Sequence, residues 1–115
     1  MKSMQTAAAI KGLAALAQES RLRIYRLLVQ RGPEGIAAGT IAERLGIAGA
    51  TLSFHLKELA HAELVTPRQD GRFIYYSANY AAMNDLLAYL TENCCQGQGC
   101  LTECPPQAAV RRKRA

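Results

Sequence analysis

The sequence predicts a mainly α-helical domain that carries one β-hairpin. Three observations predict it. Apolar residues recur at helical spacing through most of residues 5–61 and again after residue 80. Two short runs rich in β-branched and aromatic residues, 64–68 and 72–77, bracket Gln69-Asp70-Gly71, and Asp-Gly between such runs is a strong short-range hairpin signal. The chain has 115 residues, half of them hydrophobic, which suits one domain with a modest core.

The first helix spans residues 5–17, with Ile10, Leu13, Ala14 and Ala17 at helix spacing. Its many alanines favour helix and allow close packing. A second helix covers 20–31, with Ser20 as N-cap and Gly32-Pro33 as the stop. Ile24, Leu27 and Leu28 form one apolar face, and Leu22, Tyr25 and Val29 another. Only Arg23, Arg26 and Gln30 share a polar strip. A helix apolar around most of its circumference belongs at the centre of the core.

A short helix follows over 38–45, with Ile41, Ala42 and Leu45 facing inward and Gly46 closing it. After the turn Gly46-Ile47-Ala48-Gly49, residues 50–61 form another helix with Leu52, Leu56 and Leu59 inward. Two helices joined by a short glycine turn make a helix-turn-helix. The hairpin behind them makes the unit a winged helix-turn-helix. A last helix runs from Tyr80 to about Asn93, with Met83, Leu86, Leu87 and Leu90 as its stripe; one further turn adds Cys94 to that stripe. Gln96-Gly97-Gln98-Gly99 and Pro105-Pro106 then end regular structure. The chain thus divides into a domain over 1–95 and a flexible, basic, cysteine-containing tail over 96–115.

The formal net charge is +5, which favours a polyanionic partner. Arg111, Arg112, Lys113 and Arg114 supply four of the 14 basic residues, so the charge sits largely in the tail, as a solvated end or a loose phosphate contact. No apolar run approaches the roughly 20 residues of a membrane span. The N-terminus lacks the pattern of a signal peptide, so a cytoplasmic location is expected. No nucleophile–base pair and no phosphate-cradling loop appears, which argues against an enzyme.

The helix over 50–61 has the character of a major-groove reader. One side anchors in the core, and the other carries small or polar residues that let the backbone approach base edges. Ala50, Phe54, Lys57 and Glu58 point most directly outward, with Thr51, Ser53 and His55 on the flanks. Thr51 and Ser53 suit bases or phosphate, and Lys57 suits phosphate. Phe54 either meets thymine methyl groups or covers a core edge. His55 reads as a satisfied structural histidine ahead of a base reader. Arg68 and Arg72 flank the hairpin tip, where they reach DNA backbone or minor groove, or are merely solvated. The candidate DNA contacts are therefore Ala50, Thr51, Ser53, Phe54, His55, Lys57, Arg68 and Arg72.

Four cysteines, Cys94, Cys95, Cys100 and Cys104, follow 93 residues without one. A disulfide-stapled scaffold spreads its cysteines through the fold, whereas this cluster is a local site. Adjacent cysteines close only a strained disulfide ring, so the pair tends to stay reduced. Soft thiolates select soft acceptors. Trivalent arsenic and antimony prefer three thiolates, and the Gly97 and Gly99 linker lets Cys100 or Cys104 fold back as the third. Four thiolates suit zinc or cadmium instead. Thiol oxidation is a further reading, and so is a constitutive DNA-binding protein whose cysteines sense nothing.

Residues 15–77 resemble the ArsR/SmtB family of metal-responsive repressors. The resemblance rests on ALAQESRLRIYRLL (15–28), IAERLGIAGATLSFHLKELAHAELV (41–65) and RQDGRFIYYS (68–77). The family's Ser-x-His-Leu recognition core is matched by Ser53, Phe54, His55 and Leu56. The resemblance implies a homodimer built from the first and last helices on double-stranded operator DNA of two-fold symmetry. The family's Cys-Val-Cys arsenic box falls here at about Ala37, Ala38 and Gly39, and is absent. Its zinc ligands on the last helix are not matched either: Asp85 is present, but His55 and His61 are the only histidines. The cluster is similar to that of arsenical repressors with a vicinal cysteine pair ending the last helix. That implies release from DNA when As(III), Sb(III) or methylated trivalent arsenic binds Cys94, Cys95 and Cys100, with Cys104 as a further ligand.

Overall fold

The computed structural model describes residues 4–97. In chain order it has α1 (Thr6–Leu16), α2 (Glu19–Arg31), β1 (Ile36–Ala37), α3 (Ala38–Leu45), α4 (Gly49–His61), β2 (Val65–Asp70), β3 (Phe73–Ala78) and α5 (Tyr80–Thr91). A 3-10 turn over Cys94–Gly97 follows. The sheet is antiparallel with strand order β1-β3-β2. The architecture is the winged helix-turn-helix that the periodicity predicts.

The core gathers where α2 and α4 meet the sheet. Ile24, Leu28, Ile41, Leu56, Leu59 and Leu64 are fully buried. Truncating any one of them to alanine costs roughly 2–5 kcal/mol. α2 lies centrally, as its nearly continuous apolar surface predicts, and Tyr80 of α5 donates to its carbonyls at Leu28 and Val29. Its N-cap is Gln18 rather than Ser20: the Gln18 side chain accepts from the Arg21 amide at 2.9 Å.

β1 was not foreseen. Two residues cannot show a period, yet Ile36 and Ala37 pair with Tyr76 and Tyr75. Gly35 makes this pairing possible. Its φ is +79°, and a Cβ there would stand 2.7 Å from the Tyr76 carbonyl oxygen.

α4 ends in a Schellman motif. The amide of Leu64 donates to the Leu59 carbonyl and that of Glu63 to Ala60. Glu63 occupies the left-handed position at φ 63°, where glycine is usual. Asn79 then ties the wing's exit to this corner. Its amide donates to Leu64 O, its side-chain amide to Glu63 O, and its side-chain oxygen accepts from Ala82 as the N-cap of α5.

The hairpin differs from expectation at its tip. Asp70 pairs with Phe73, so the turn is Gly71-Arg72; β2 reaches two residues further toward the tip than expected, and β3 keeps the expected length but starts one residue later. Gly71 supplies the positive φ, 66°, that such a two-residue turn needs. Burial fades along the wing from Val65 and Ala78 at the root to exposed residues at the tip. Pro67 is accommodated because β2 is an edge strand.

α5 also departs from expectation. It stops at Thr91, Asn93 takes a left-handed φ of 58°, and Cys94 leaves the helix instead of joining its stripe. Only Leu86 of that stripe is buried, while Leu87 and Leu90 are 53% and 54% exposed. α1 shows the same division. It buries Ala9, Gly12 and Ala15 and leaves Ile10 and Leu13 outside.

Candidate nucleic-acid interface and cysteine pair

α4 is held by one face and open on the other. Leu52, His55, Leu56 and Leu59 are buried. Ala50, Thr51, Ser53, Phe54 and Lys57 are exposed. Phe54 is 55% exposed, which takes it off the core edge and leaves it as an outward apolar contact. It touches the His55 ring, centroid to centroid 5.6 Å. The His55 ring is buried within the protomer, with Nδ1 3.3 Å from the Arg21 guanidinium.

Arg68 is engaged within its own protomer. Its guanidinium donates to the Glu34 carbonyl, lies 3.6 Å from Asp70 and stacks 4.8 Å over the Tyr75 ring. It braces the wing while its side chain stays 54% exposed. Arg72 sits in the turn itself, at the outermost point of the hairpin.

Sequence reasoning missed a groove of about 290 Å³ between α3 and the sheet, whose lining includes Arg31, Thr40, Arg44 and Tyr75. Thr40 and Arg44 are exposed one turn apart on α3, and the first helix of a helix-turn-helix crosses the DNA backbone. Their i, i+4 spacing on the polar face of that helix was the available signal.

Beyond α5 the Cys94 and Cys95 sulfurs lie 3.7 Å apart. Left-handed backbone at Asn93 and Cys95 turns the chain sharply on both sides of Cys94. Two thiolates on one tetrahedral ion with bonds of about 2.3 Å stand roughly 3.8 Å apart, but in this structure the Cys95 sulfur is held in a disulfide, so the pair is not fully reduced as its strained-ring chemistry led one to expect. Cys94 is half-buried and Cys95 exposed. Cys100 and Cys104 lie outside the described residues. Among the described residues, no group of three or more His, Cys, Asp or Glu side chains stands together as a metal site, and no helix is long and apolar enough to cross a membrane.

A family model described as a helix-turn-helix domain matches residues 16–68. The chain is 37% identical over 81 residues to the arsenical resistance operon repressor of Bacillus subtilis (strain 168), which is 70% of this chain and 73% of that protein. The chain belongs to the ArsR/SmtB family of DNA-binding transcriptional regulators. It is also 36% identical over 80 residues to the nodulation protein NolR of Rhizobium meliloti; the match takes in 70% of this chain and spans 63% of the relative's length. Among solved structures it resembles an ArsR-like transcriptional regulator from Rhodococcus sp. RHA1, with a TM-score of 0.70 and 27% identity over 89% of this chain and 93% of that one. The homodimeric winged helix-turn-helix DNA-binding domain of a possible ArsR-family regulator from Mycobacterium bovis matches with a TM-score of 0.61 and 27% identity over 79% and 89% of the two chains.

Within this ArsR/SmtB chain, α3 and α4 are the helix-turn-helix and the β2–β3 hairpin is the wing. The exposed face of α4, the α3 groove and the wing tip make up the candidate DNA surface.

Proposed function

We propose that this protein is a transcriptional repressor that binds operator DNA as a homodimer and lets go when As(III) or Sb(III) engages its C-terminal thiolates. The observation that supports the sensing half is the placement of Cys94 and Cys95 side by side just after α5, with sulfurs 3.7 Å apart; metalloid binding there requires that the disulfide at Cys95 first be reduced. Cys100 serves as the third ligand and Cys104 as a reserve. Trivalent arsenic, methylated or not, supplies thiolate-selective Lewis acidity there. The likeness to an arsenical resistance operon repressor supports the same inducer class.

The homodimer reading rests on the faces left open. Ile10 and Leu13 of α1 and Leu87 and Leu90 of α5 are exposed, and α1 and α5 are joined by the Thr6 hydroxyl and the Tyr89 phenol. A second protomer packing its own α1 and α5 there buries these side chains and sets two copies of α4 for successive major grooves. Lys57, Arg44 and Arg72 hold phosphates, while Ala50, Thr51, Ser53 and Phe54 face the bases. Cys94 and Cys95 follow α5 after only Glu92 and Asn93, so drawing their thiolates together would act on a helix of the proposed dimer interface. The inducer must favour the DNA-incompetent arrangement, because equal affinity for both arrangements shifts nothing. The working domain ends near residue 95, and residues 96–115 bring the remaining thiols and the basic end.

A second reading has its own observation: Cys95 is disulfide-bonded in this structure, which favours a thiol–disulfide signal at the same cluster. One experiment separates the two. Release of the upstream DNA is followed for wild type and Cys95→Ser, under reducing conditions with arsenite and without reductant on oxidation. The metalloid reading expects arsenite to release wild type while Cys95→Ser binds DNA normally and stays bound. Release by oxidation alone supports the redox reading. Normal release of Cys95→Ser by arsenite removes the assigned site.

A further inference from the structure

We propose that Arg21 is a positioning residue of the DNA-reading head: its guanidinium clamps the end of α1 to His55 of α4 and holds that histidine as the neutral Nε2–H tautomer. The inference rests on the DNA-binding reading of α4 and deepens it.

The geometry is a single side chain serving three elements. Arg21 belongs to the first turn of α2, where its amide is capped by Gln18. Its Nε donates to the Ala15 carbonyl at 2.7 Å. Ala15 lies in the last turn of α1, where carbonyls have no partner within their own helix and a positive charge is favoured. The other arm of the fork reaches His55 on α4, with a terminal nitrogen 3.3 Å from Nδ1. Arginine offers a rigid planar fork of donors, and lysine cannot reproduce two bonds at this divergence.

The chemistry fixes the histidine. A guanidinium only donates, so Nδ1 must accept with its lone pair, and the ring proton sits on Nε2. A protonated His55 has no lone pair to offer and places a second cation against Arg21. The ring is buried, and its neighbour in sequence, Phe54, faces outward one position away. The ring that Arg21 orients is the inner anchor of the turn that displays Ser53, Phe54 and Lys57. Through Ala15 the same guanidinium holds the helix proposed for the dimer interface. The clamp sets the attitude of the reading helix relative to the layer that the cysteine pair acts on.

The test uses the full chain, labelled with ¹⁵N-histidine. His61 is exposed and gives an internal reference, being the other of the two histidines. Long-range ¹H–¹⁵N spectra at neutral pH should show His55 with an unprotonated Nδ1 and a protonated Nε2. Arg21→Lys should convert this to the mixed tautomers of an unrestrained ring. Specific DNA affinity should fall about tenfold in Arg21→Lys and in His55→Leu, and the double variant should be no worse than the weaker single one. His55→Asn, whose side-chain oxygen stands near the Nδ1 position, should retain most of the affinity. A His55 carrying its proton on Nδ1, or a pattern identical in wild type and Arg21→Lys, overturns the clamp; so do additive losses in the double variant. If Arg21→Lys does not fold, the wild-type tautomer and the contrast between His55→Asn and His55→Leu still decide it. A wild-type protein with the Nε2–H tautomer that ignores its upstream DNA supports the clamp and removes the operator reading. Binding with the other tautomer does the reverse.

Discussion

α4 and α5 have nearly equal length and opposite mechanical situations. α4 buries four residues across 13, is sealed by a Schellman motif, and is gripped through His55 by Arg21. α5 buries Leu86 alone across 12 and leaves Leu87 and Leu90 in the open. The position of α4 is therefore fixed by its own protomer, through packing that tolerates little change. The position of α5 is completed by whatever covers its open face. This division suits the proposed sensing role: a ligand acting on α5 would have little packing to break, and α4 would keep its geometry.

The contrast is broken most severely at Leu56. Leu56→Ala should cost about 2–5 kcal/mol, read as a fall in the urea midpoint with an unchanged slope. Leu90→Glu should leave the helix content of each protomer intact while converting the dimer to monomer in sedimentation. A dimer that survives places the interface elsewhere and makes α5 an ordinary surface helix. Next come the proposed phosphate contacts. Lys57→Ala and Arg72→Ala should each weaken binding to specific and random DNA alike and reduce the salt slope by about one. A loss confined to the specific site makes these residues base readers instead.

Two smaller effects sharpen the picture. Glu63→Gly relieves a left-handed backbone at the exit of α4 and should raise stability by about 1 kcal/mol, measured by denaturant titration. Burial, with the neighbouring Tyr80 adding, raises the Tyr25 phenol above its ordinary value, and its hydroxyl is buried without a hydrogen bond. The unfolded chain then ionises at lower pH than the folded one. Stability from this group is complete below the ordinary phenol range and declines as pH climbs through it. Tyr25→Phe should leave stability at pH 7 unchanged or slightly higher and reduce the alkaline decline, read from thermal melts at pH 7 and above pH 10.

The sequence made the helices legible because their signals are local. The helix over 38–45 coincides with α3, closed by Gly46 at φ 66°, since a glycine stop and an Ile41-Ala42-Leu45 face are written in adjacent residues. The inward set Leu52, Leu56 and Leu59 was equally plain. What stayed hidden depends on distant partners. β1 exists only because Tyr75 and Tyr76 come alongside it. Ser20 has cap chemistry, but Gln18 stands where the chain actually enters α2. Periodicity identified the apolar stripes of α1 and α5 without separating what faces the core from what faces outward, so it does not show that Ile10 and Leu90 lie exposed. His55 could be weighed as structural from its type, but the guanidinium that holds it lies 34 residues away. Cys94 and Cys95 were evident as a pair, whereas their departure from the helix was set by Asn93.

The measurement that bears most directly on the central claim is fluorescence anisotropy of the full chain on the DNA upstream of its own coding region, under reducing conditions, with arsenite, zinc or cadmium added in turn. The account predicts tight, salt-sensitive binding to that DNA and release by arsenite alone. DNA binding that arsenite leaves untouched contradicts the sensing role of the cysteine pair.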